Sequence, residues 1–457
     1  MQRKDKEYLK LHLQPGCFFD NTEDLLAYSY DAQRIEAMPE AVCLPRTTEE
    51  VSAVMAYCYA RGIPVVPRGA GTGMTGGAVP VCQGIVLSLQ QMNAIEEIDT
   101  QNFVATVQPG VFTADLHAAV EAQGLFYPPD PGSMKYSSIG GNIAENAGGM
   151  RAVKYGVTSA FVMGLEVVLP SGEIIHAGSK CIKDVTGLNI APLFIGSEGT
   201  LGIITKAHLR LVPLQKCRMT CCTAFPSIDD SILAVTDLLR SGITPLTLEF
   251  MDSICILALE KSMGFNAPAG TGGILVVETE GTEAQADEDM QGIVSVFRQN
   301  HALDIHVGKD KEERERIWKA RRSVSPALLH IKPKRMNEDI VVPRSRIGEM
   351  CRRIQQISRR HDLVIACFGH AGDGNLHVHV MHEDTEEQDA RAFAAVSDIF
   401  TAAAALEGRI SGEHGIGIAK KSFLSLNVDT ATLALMKKFK RVFDPKGILN
   451  PGKIFPD

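Results

Sequence analysis

The chain has 457 residues, more than one hydrophobic core normally holds, so two or three domains are expected. Apolar residues make up 45% and charged residues 22%, with a formal charge of -8 and no long run of either sign; this excludes an electrostatic nucleic-acid binder and suits a globular enzyme. Residues 1–14 lack an apolar signal core, and no apolar run is long enough to span a bilayer, so the expected location is cytoplasmic, at most peripheral to a membrane.

The first chemically marked element lies at residues 63–78, where an apolar run passes into Pro67-Arg68-Gly69-Ala70-Gly71-Thr72-Gly73-Met74-Thr75-Gly76-Gly77. Gly71-x-Gly73-x-x-Gly76 matches the dinucleotide fingerprint in spacing, but that motif must open a helix, whereas Pro80 and a β-rich run at 84–89 follow here. A nicotinamide Rossmann site is therefore not expected. What remains is a loop able to turn successive N–H groups toward one centre, as phosphate nests do. Residues 103–109 read as a strand and 113–123 as an amphipathic helix. A second run, 127–149, begins with stiffening prolines and continues in glycines and small polar residues that permit close approach to a flat or anionic ligand. Residues 161–177 read as a hairpin turning at Pro170-Ser171-Gly172. A third loop, 196–205, leads into a β-rich segment at 207–212. Three small-residue loops in one half suggest a long, extended cofactor.

Near Pro213 the pattern changes to alternating strands and helices: a strand to Phe225, a helix with Ile228, Ile232, Val235 and Leu239 on one face, strands at 246–251 and 274–279, and a helix after Glu283. This describes a cap or substrate domain with an antiparallel sheet backed by helices. Within 317–325, Arg321 and Ser325 lie four apart and share a helix face, where a guanidinium and a hydroxyl can grip a carboxylate; Arg322 competes for the role. His370 closes the apolar run 363–368 and His377 opens the alternating run 376–381, while 371–375 has hairpin-turn chemistry. Both imidazoles then come within reach of one ion. His379 falls on the same strand face as His377, where it either lines the pocket or is an ordinary satisfied polar residue. Ser411-Gly412-Glu413-His414-Gly415-Ile416-Gly417 adds a carboxylate and a further imidazole. Glu413 and His414 would point apart on a strand, but a loop permitted by Gly412 and Gly415 lets them converge. Two nitrogens and one carboxylate leave a tetrahedral ion one position short, which is the pattern of a catalytic metal site. The eleven cysteines are dispersed without a CxxC pair, so free thiols in a reducing compartment are expected and a ferredoxin-type cluster is excluded.

Taken in this order, the three glycine-rich segments resemble the FAD-binding domain of the vanillyl-alcohol oxidase and p-cresol methylhydroxylase type. Gly369-His370-Ala371-Gly372-Asp373-Gly374-Asn375-Leu376-His377, the Ser411–Gly417 motif and the tail 443–453 resemble its D-2-hydroxyacid dehydrogenase branch, over about residues 45–455. The resemblance implies an α+β protein: a two-subdomain FAD-binding domain at 1–215, an α+β cap domain with an antiparallel sheet at 216–410, and a segment, 411–457, that returns to the FAD domain. It places FAD against Pro67, Arg68, Gly69, Ala70, Gly71, Thr72, Gly73, Gly76 and Gly77 in the first loop. Pro131, Gly132, Ser133, Ser138, Gly141, Asn142, Asn146, Gly148 and Gly149 serve in the second, Glu198, Gly202 and Ile204 in the third, and Asn450 near the end. No histidine lies between Leu13 and Val111, so FAD is expected to bind noncovalently. Arg321 and Ser325 match the family's carboxylate-binding Arg and Thr. Asn337 stands where dicarboxylate-specific members have lysine, and His379 where they have asparagine. Both departures favour lactate or glycolate over 2-hydroxyglutarate, with Lys334 or Arg335 as possible compensation.

The expected reaction is oxidation of a small D-2-hydroxy acid. A divalent metal on His370, His377 and Glu413 lowers the hydroxyl pKa, His414 takes the proton, and the hydride passes to flavin N5, with Arg321, Ser325 and His379 around the substrate. Zinc fits because it has no redox chemistry; manganese or iron accept the same ligands. Electrons then leave to a separate iron-sulfur subunit, a quinone-linked carrier or an electron-transfer flavoprotein, and a homodimer is compatible with the chain. Two other classes compete: a noncatalytic flavin subunit, which has no need of the metal constellation, and a metallohydrolase, in which the three glycine loops have no purpose.

Overall fold

A computed structural model describes residues 1–33, 35–308 and 310–456. The chain forms two compact units, Met1–Gly149 with Gly156–Leu214 and Glu413–Asp457, and Met150–Tyr155 with Gln215–Gly412.

The first unit contains two sheets. In the smaller, Phe18–Phe19 runs antiparallel to Ala41–Cys43, which lies parallel to Ile85–Ser88, itself parallel to Val65–Arg68. The helix Thr48–Arg61 starts where Thr47 Oγ1 accepts the Glu50 amide and ends at left-handed Gly62, and it buries Val51, Val54, Met55 and Cys58 against these strands. Parallel strands normally need a helical crossover, yet residues 69–84 between Val65–Arg68 and Ile85–Ser88 hold no helix. The glycine loop makes the crossing itself. The C-terminal return joins this sheet, with Val65 bridged to Leu449 and the Asn450 amide donating to the Val65 carbonyl at 2.7 Å. The second sheet is antiparallel in the order Ile95–Asp99, Val104–Val107, Ile203–Arg210, Val162–Val168, Ile174–Gly178. It contains the expected strand and hairpin, and Thr113–Glu121 is the expected helix.

The second unit is built on a seven-stranded antiparallel sheet ordered Asp304–Val307, Cys217–Phe225, Gly273–Gly281, Thr247–Asp252, Val364–His370, Asn375–His382, Lys334–Val341. Ala224, Met251, Ile274, Val276, Ala366, Phe368 and Met381 form one apolar face, covered by the helices Ser253–Met263 and Lys311–Ala327. Phe225 points to the other face and meets Phe297 of the helix Glu283–Gln299 edge-on. In the helix Ile228–Arg240 the buried stripe is Ile232, Val235 and Leu238; Leu239, expected inside, is only half-buried. The stripe includes Ala234, four residues before Leu238, which turns the inner face by one position. Residues Met150–Tyr155 join this unit rather than the first because Lys154 and Tyr155 both bond the buried Glu280 carboxylate. Among the described residues no helix is long and apolar enough to cross a membrane, and all eleven cysteines are free.

Two features of this sheet are testable. Gly374 closes the hairpin between the last apolar strand pair with φ +96°, and a Cβ there would lie 2.1 Å from the Val342 carbonyl oxygen. Gly374→Ala is expected to cost about 2 kcal/mol or more, read as a lower Tm; an unchanged Tm would show that the turn tolerates a side chain. Asp252 caps the helix Ser253–Met263, accepting the Cys255 amide at 2.9 Å and the Cys367 amide at 2.7 Å, while burial pushes its carboxyl from 3.8 up to about 6. The fold therefore binds this proton more tightly than the unfolded chain, and that stabilisation, roughly 3 kcal/mol, is complete at low pH and fades as pH rises through the folded value. Asp252→Asn cannot ionise, so its Tm should gain on wild type between about pH 4 and about pH 7. A pH-independent Tm difference counts against this account.

Candidate functional site

In the second unit the positions of the candidate residues follow from strand period and register. His370 pairs with Asn375 and Phe368 with His377 across the hairpin, so His370, Phe368, His377 and His379 share one sheet face. The His370 and His377 rings lie 5.3 Å apart at 86°, and Phe368 packs 5.4 Å from His377 and 5.0 Å from His379. Across the other edge of Asn375–His382, Asp339 stands opposite His377 and Asn337 opposite His379. The two positions that depart from the dicarboxylate pattern are thus direct neighbours.

Glu249, on the next strand, lies opposite His370. Its side chain is fully buried; one oxygen meets His370 Nδ1 at 2.7 Å and the other Arg321 Nη2 at 2.5 Å. Burial alone pushes this carboxyl up, but the charges and hydrogen bonds of His370 and Arg321 outweigh it and hold it below the usual range. Facing a carboxylate, His370 Nδ1 carries the hydrogen, which directs the lone pair of the neutral ring to Nε2, as a metal ligand requires. Arg321 also lies 4.9 Å over the Phe368 ring, and its Nε is buried with no hydrogen-bond partner among the described residues. The competing Arg322 is exposed and paired with Glu315 at 3.0 Å. Ser325 follows one turn after Arg321 and is half-buried, its carbonyl accepting a hydrogen bond from Arg335. Lys334 is held by Asp384 at 3.0 Å and Asp389 at 2.7 Å, on the sheet face opposite the histidines.

Asp339 anchors the end of this unit. Fully buried, it accepts the Ser411 hydroxyl at 3.1 Å and the Gly412 amide at 2.6 Å. Glu413 is the next residue in the chain.

Within the first unit the three glycine segments gather around the loop that carries Glu413 and His414. Thr75 of the first segment donates its hydroxyl to the His414 carbonyl at 3.3 Å and accepts the Ile418 amide at 2.7 Å. Gly148 of the second is so close to Glu413 that a Cβ would lie 2.9 Å from its Oε2. Glu198 of the third, at φ 51°, accepts the Ile416 and Gly417 amides, each at 2.7 Å. Glu413 and His414 do converge, with 3.9 Å between Oε1 and Nε2. Glu198 thus spends its carboxylate on this loop. Asn450 Nδ2 donates to the Gly77 carbonyl at 3.0 Å and the Glu198 carbonyl at 2.7 Å, tying the tail to the first and third segments.

The loops themselves are tightly seated. Gly71 has φ +70°, and a Cβ there would strike the Arg68 guanidinium, which donates to the Tyr30 carbonyl at 2.8 Å. The Gly76 amide is taken by Asp31 at 2.6 Å. Gly69 abuts Ser138, which caps the helix Ile139–Glu145, and Asn142 bonds Thr113 at 2.7 Å. Asn146 is left-handed and accepts the Ser159 amide at 2.8 Å. Gly149 lies against Asp130, and Gly202 against Val167 and Phe194. A Cβ at Gly73 or Gly132 would have no described atom within 4 Å, so backbone there is open to a ligand, as an extended cofactor needs.

Two side chains that hold these residues escaped the sequence reading, Glu249 and Asp339. The available signal was a carboxylate set between Leu248 and Phe250 in an apolar strand, which is costly unless paired.

Residues 39–178 match the family model of the FAD binding domain, and residues 214–454 that of the C-terminal domain of FAD linked oxidases. The glycolate oxidase subunit GlcD of Bacillus subtilis is 43% identical over 455 residues, spanning 98% of this chain and 96% of that protein. The D-lactate dehydrogenase of Anaerostipes hadrus is 37% identical over 438 residues, 93% of this chain and 92% of its own. Among solved structures, p-cresol methylhydroxylase with substrate bound aligns with a TM-score of 0.80 at 18% identity, covering 99% of this chain and 96% of that one, so the fold is shared. The chain belongs to the FAD-linked oxidase family and is an FAD-dependent oxidoreductase with an α+β fold of the p-cresol methylhydroxylase type.

Proposed function

We propose that the chain oxidises a small 2-hydroxy acid, D-lactate or glycolate, to the 2-oxo acid. The observation that carries this reading is the sheet face on which His370 and His377 stand together, with Arg321 of the covering helix joined to His370 through Glu249, two metal-type ligands beside a buried cation suited to a carboxylate. The relatives named glycolate oxidase subunit and D-lactate dehydrogenase supply the substrate class. Small substrates are favoured because Asn337, opposite His379, brings no cation, and Lys334 is committed to Asp384 and Asp389.

In this reading His370 and His377 hold a divalent ion, zinc fitting first, together with Glu413, one peptide bond beyond the Gly412 anchor on Asp339. FAD binds noncovalently along the glycine segments. When bound, FAD supplies a hydride acceptor at flavin N5, and the metal supplies Lewis-acid polarisation of the substrate hydroxyl. Arg321, through the guanidinium edge not given to Glu249, and Ser325 grip the substrate carboxylate. His379 lines the pocket. His414 accepts the hydroxyl proton while the Cα hydrogen departs with its electron pair; Thr75 and Glu198 hold the His414 loop in place. The GlcD relative is named a subunit, and the eleven cysteines here are free. In this reading the electrons pass to a separate carrier: an iron-sulfur protein, a quinone-linked carrier or an electron-transfer flavoprotein.

Anaerobic D-lactate or glycolate should bleach the flavin, L-lactate and D-2-hydroxyglutarate should do so far more slowly, and a chelator should block bleaching until zinc or manganese is restored. Fastest bleaching by 2-hydroxyglutarate would replace the small-acid reading. His414→Ala should keep its FAD and slow flavin reduction by about 10²–10⁴-fold; reduction at the wild-type rate would remove His414 as base.

A further inference from the structure

We infer that Glu249 is a positioning residue that sets the metal ligand His370 and the carboxylate-binding Arg321 with one side chain, so that metal affinity and substrate-carboxylate affinity depend on the same group. The inference rests on the metal and substrate roles proposed above. Glu249 is fully buried and divides its oxygens, Oε1 to His370 Nδ1 at 2.7 Å and Oε2 to Arg321 Nη2 at 2.5 Å. Both partners are donors at these contacts. An amide in the same place offers one acceptor oxygen, and its NH2 would face a second donor, so either His370 or Arg321 loses its bond and a buried polar group is orphaned. Shortening to Asp keeps the charge but withdraws the oxygens by one methylene, and the two contacts cannot both be reached.

The consequence for His370 is orientational. A carboxylate on Nδ1 fixes the ring and its tautomer and raises the basicity of Nε2, and loss of such a partner typically weakens metal binding by about 10–100-fold. For Arg321 the same carboxylate offsets the guanidinium charge and fixes one edge, while the aromatic face of Phe368 fixes its plane, 4.9 Å from Cζ. The other edge then meets the substrate in one orientation. Glu249 itself lies opposite His370 in the strand register, so it acts through these two residues.

The test uses full-length, FAD-loaded protein, wild type, Glu249→Gln and Glu249→Asp. Zinc affinity is measured by chelator competition with metal analysis, and oxalate affinity, as a carboxylate probe, by flavin difference absorbance; flavin content and Tm report folding. The expected result is zinc affinity about 10–100-fold lower in Glu249→Gln, weaker oxalate binding, a rise in KM together with a fall in kcat, and a smaller loss on both affinities in Glu249→Asp. A folded variant of either kind with wild-type zinc affinity, or with only one of the two affinities reduced, overturns the inference. If Glu249→Gln does not fold, Glu249→Asp decides alone. Wild-type protein that binds no zinc tightly overturns the proposed metal centre, and the inference with it, before any variant is compared. Tight zinc in wild type with unaltered variants overturns the inference only.

Discussion

A carboxylate removed from water must find donors for both oxygens, and the strand Thr247–Asp252 places one such carboxylate, Glu249, in the centre of a seven-stranded sheet. The penalty for an unpaired buried charge is several kcal/mol, so the site is stable only with His370 and Arg321 both in place. Each partner comes from a different element, a strand on one side and the helix Lys311–Ala327 on the other. Satisfying one anion therefore fixes the relation of that helix to the sheet. The apolar residues Trp318 and Val324 fill the face around it, and Trp318 repeats the arrangement by donating its indole N–H to Glu278 at 2.8 Å. Helix and sheet are thus registered by polar bonds at two points within an otherwise apolar contact.

The other unit uses the same device on a loop. Glu198 receives the amides of Ile416 and Gly417, and burial raises its carboxyl while these N–H donors and the nearby Lys453 and Lys420 oppose the rise. A loop with glycines at 412, 415 and 417 has high conformational entropy when free. Two charge-assisted bonds from a residue held in the left-handed region, with Thr75 bracketing the other side, restrict it to one conformation. That is the requirement for adjacent Glu413 and His414 to converge, since extended backbone would separate them.

The legible part of the molecule was local. Turn chemistry between His370 and His377 identified the hairpin because register in a short hairpin follows from the loop itself. The glycine segments and the absence of a helix after the first one were legible for the same reason; of Arg321 and its rival Arg322, it is Arg321 that lies on the stripe with Ile317, Ala320 and Val324 that the helix buries. Glu249 and Asp339 were not legible. They sit 121 and 73 residues from His370 and Gly412, the groups they hold, and only strand order decides that they arrive there. The placement of Met150–Tyr155 escaped for the same cause, a long-range ion pair with Glu280. Leu239 illustrates a smaller limit: two adjacent leucines satisfy the helical period about equally, and packing selects Leu238.

The proposed preference for a small substrate rests on this geometry more than on any single residue. On the histidine face, Asn337 and His379 occupy one cross-strand pair, next along the strands to the pair of Asp339 and His377. A group placed at Asn337 thus lies diagonally across from the proposed ligand His377, about 7–8 Å away. That is the span between the hydroxyl end and the far end of a short dicarboxylate, so a cation at this position would reach a distal carboxylate and an amide would not neutralise one. Lys334, three residues from Asn337 and therefore on the opposite face, cannot substitute without a register slip that would turn the entire strand over. Arg335 keeps the face but lies a further pair away, and it is drawn toward the Ser325 carbonyl at the end of the Arg321 helix. With the distal position uncharged, a second carboxylate on the substrate would be desolvated without a partner, whereas the methyl of lactate or the hydrogen of glycolate carries no such penalty.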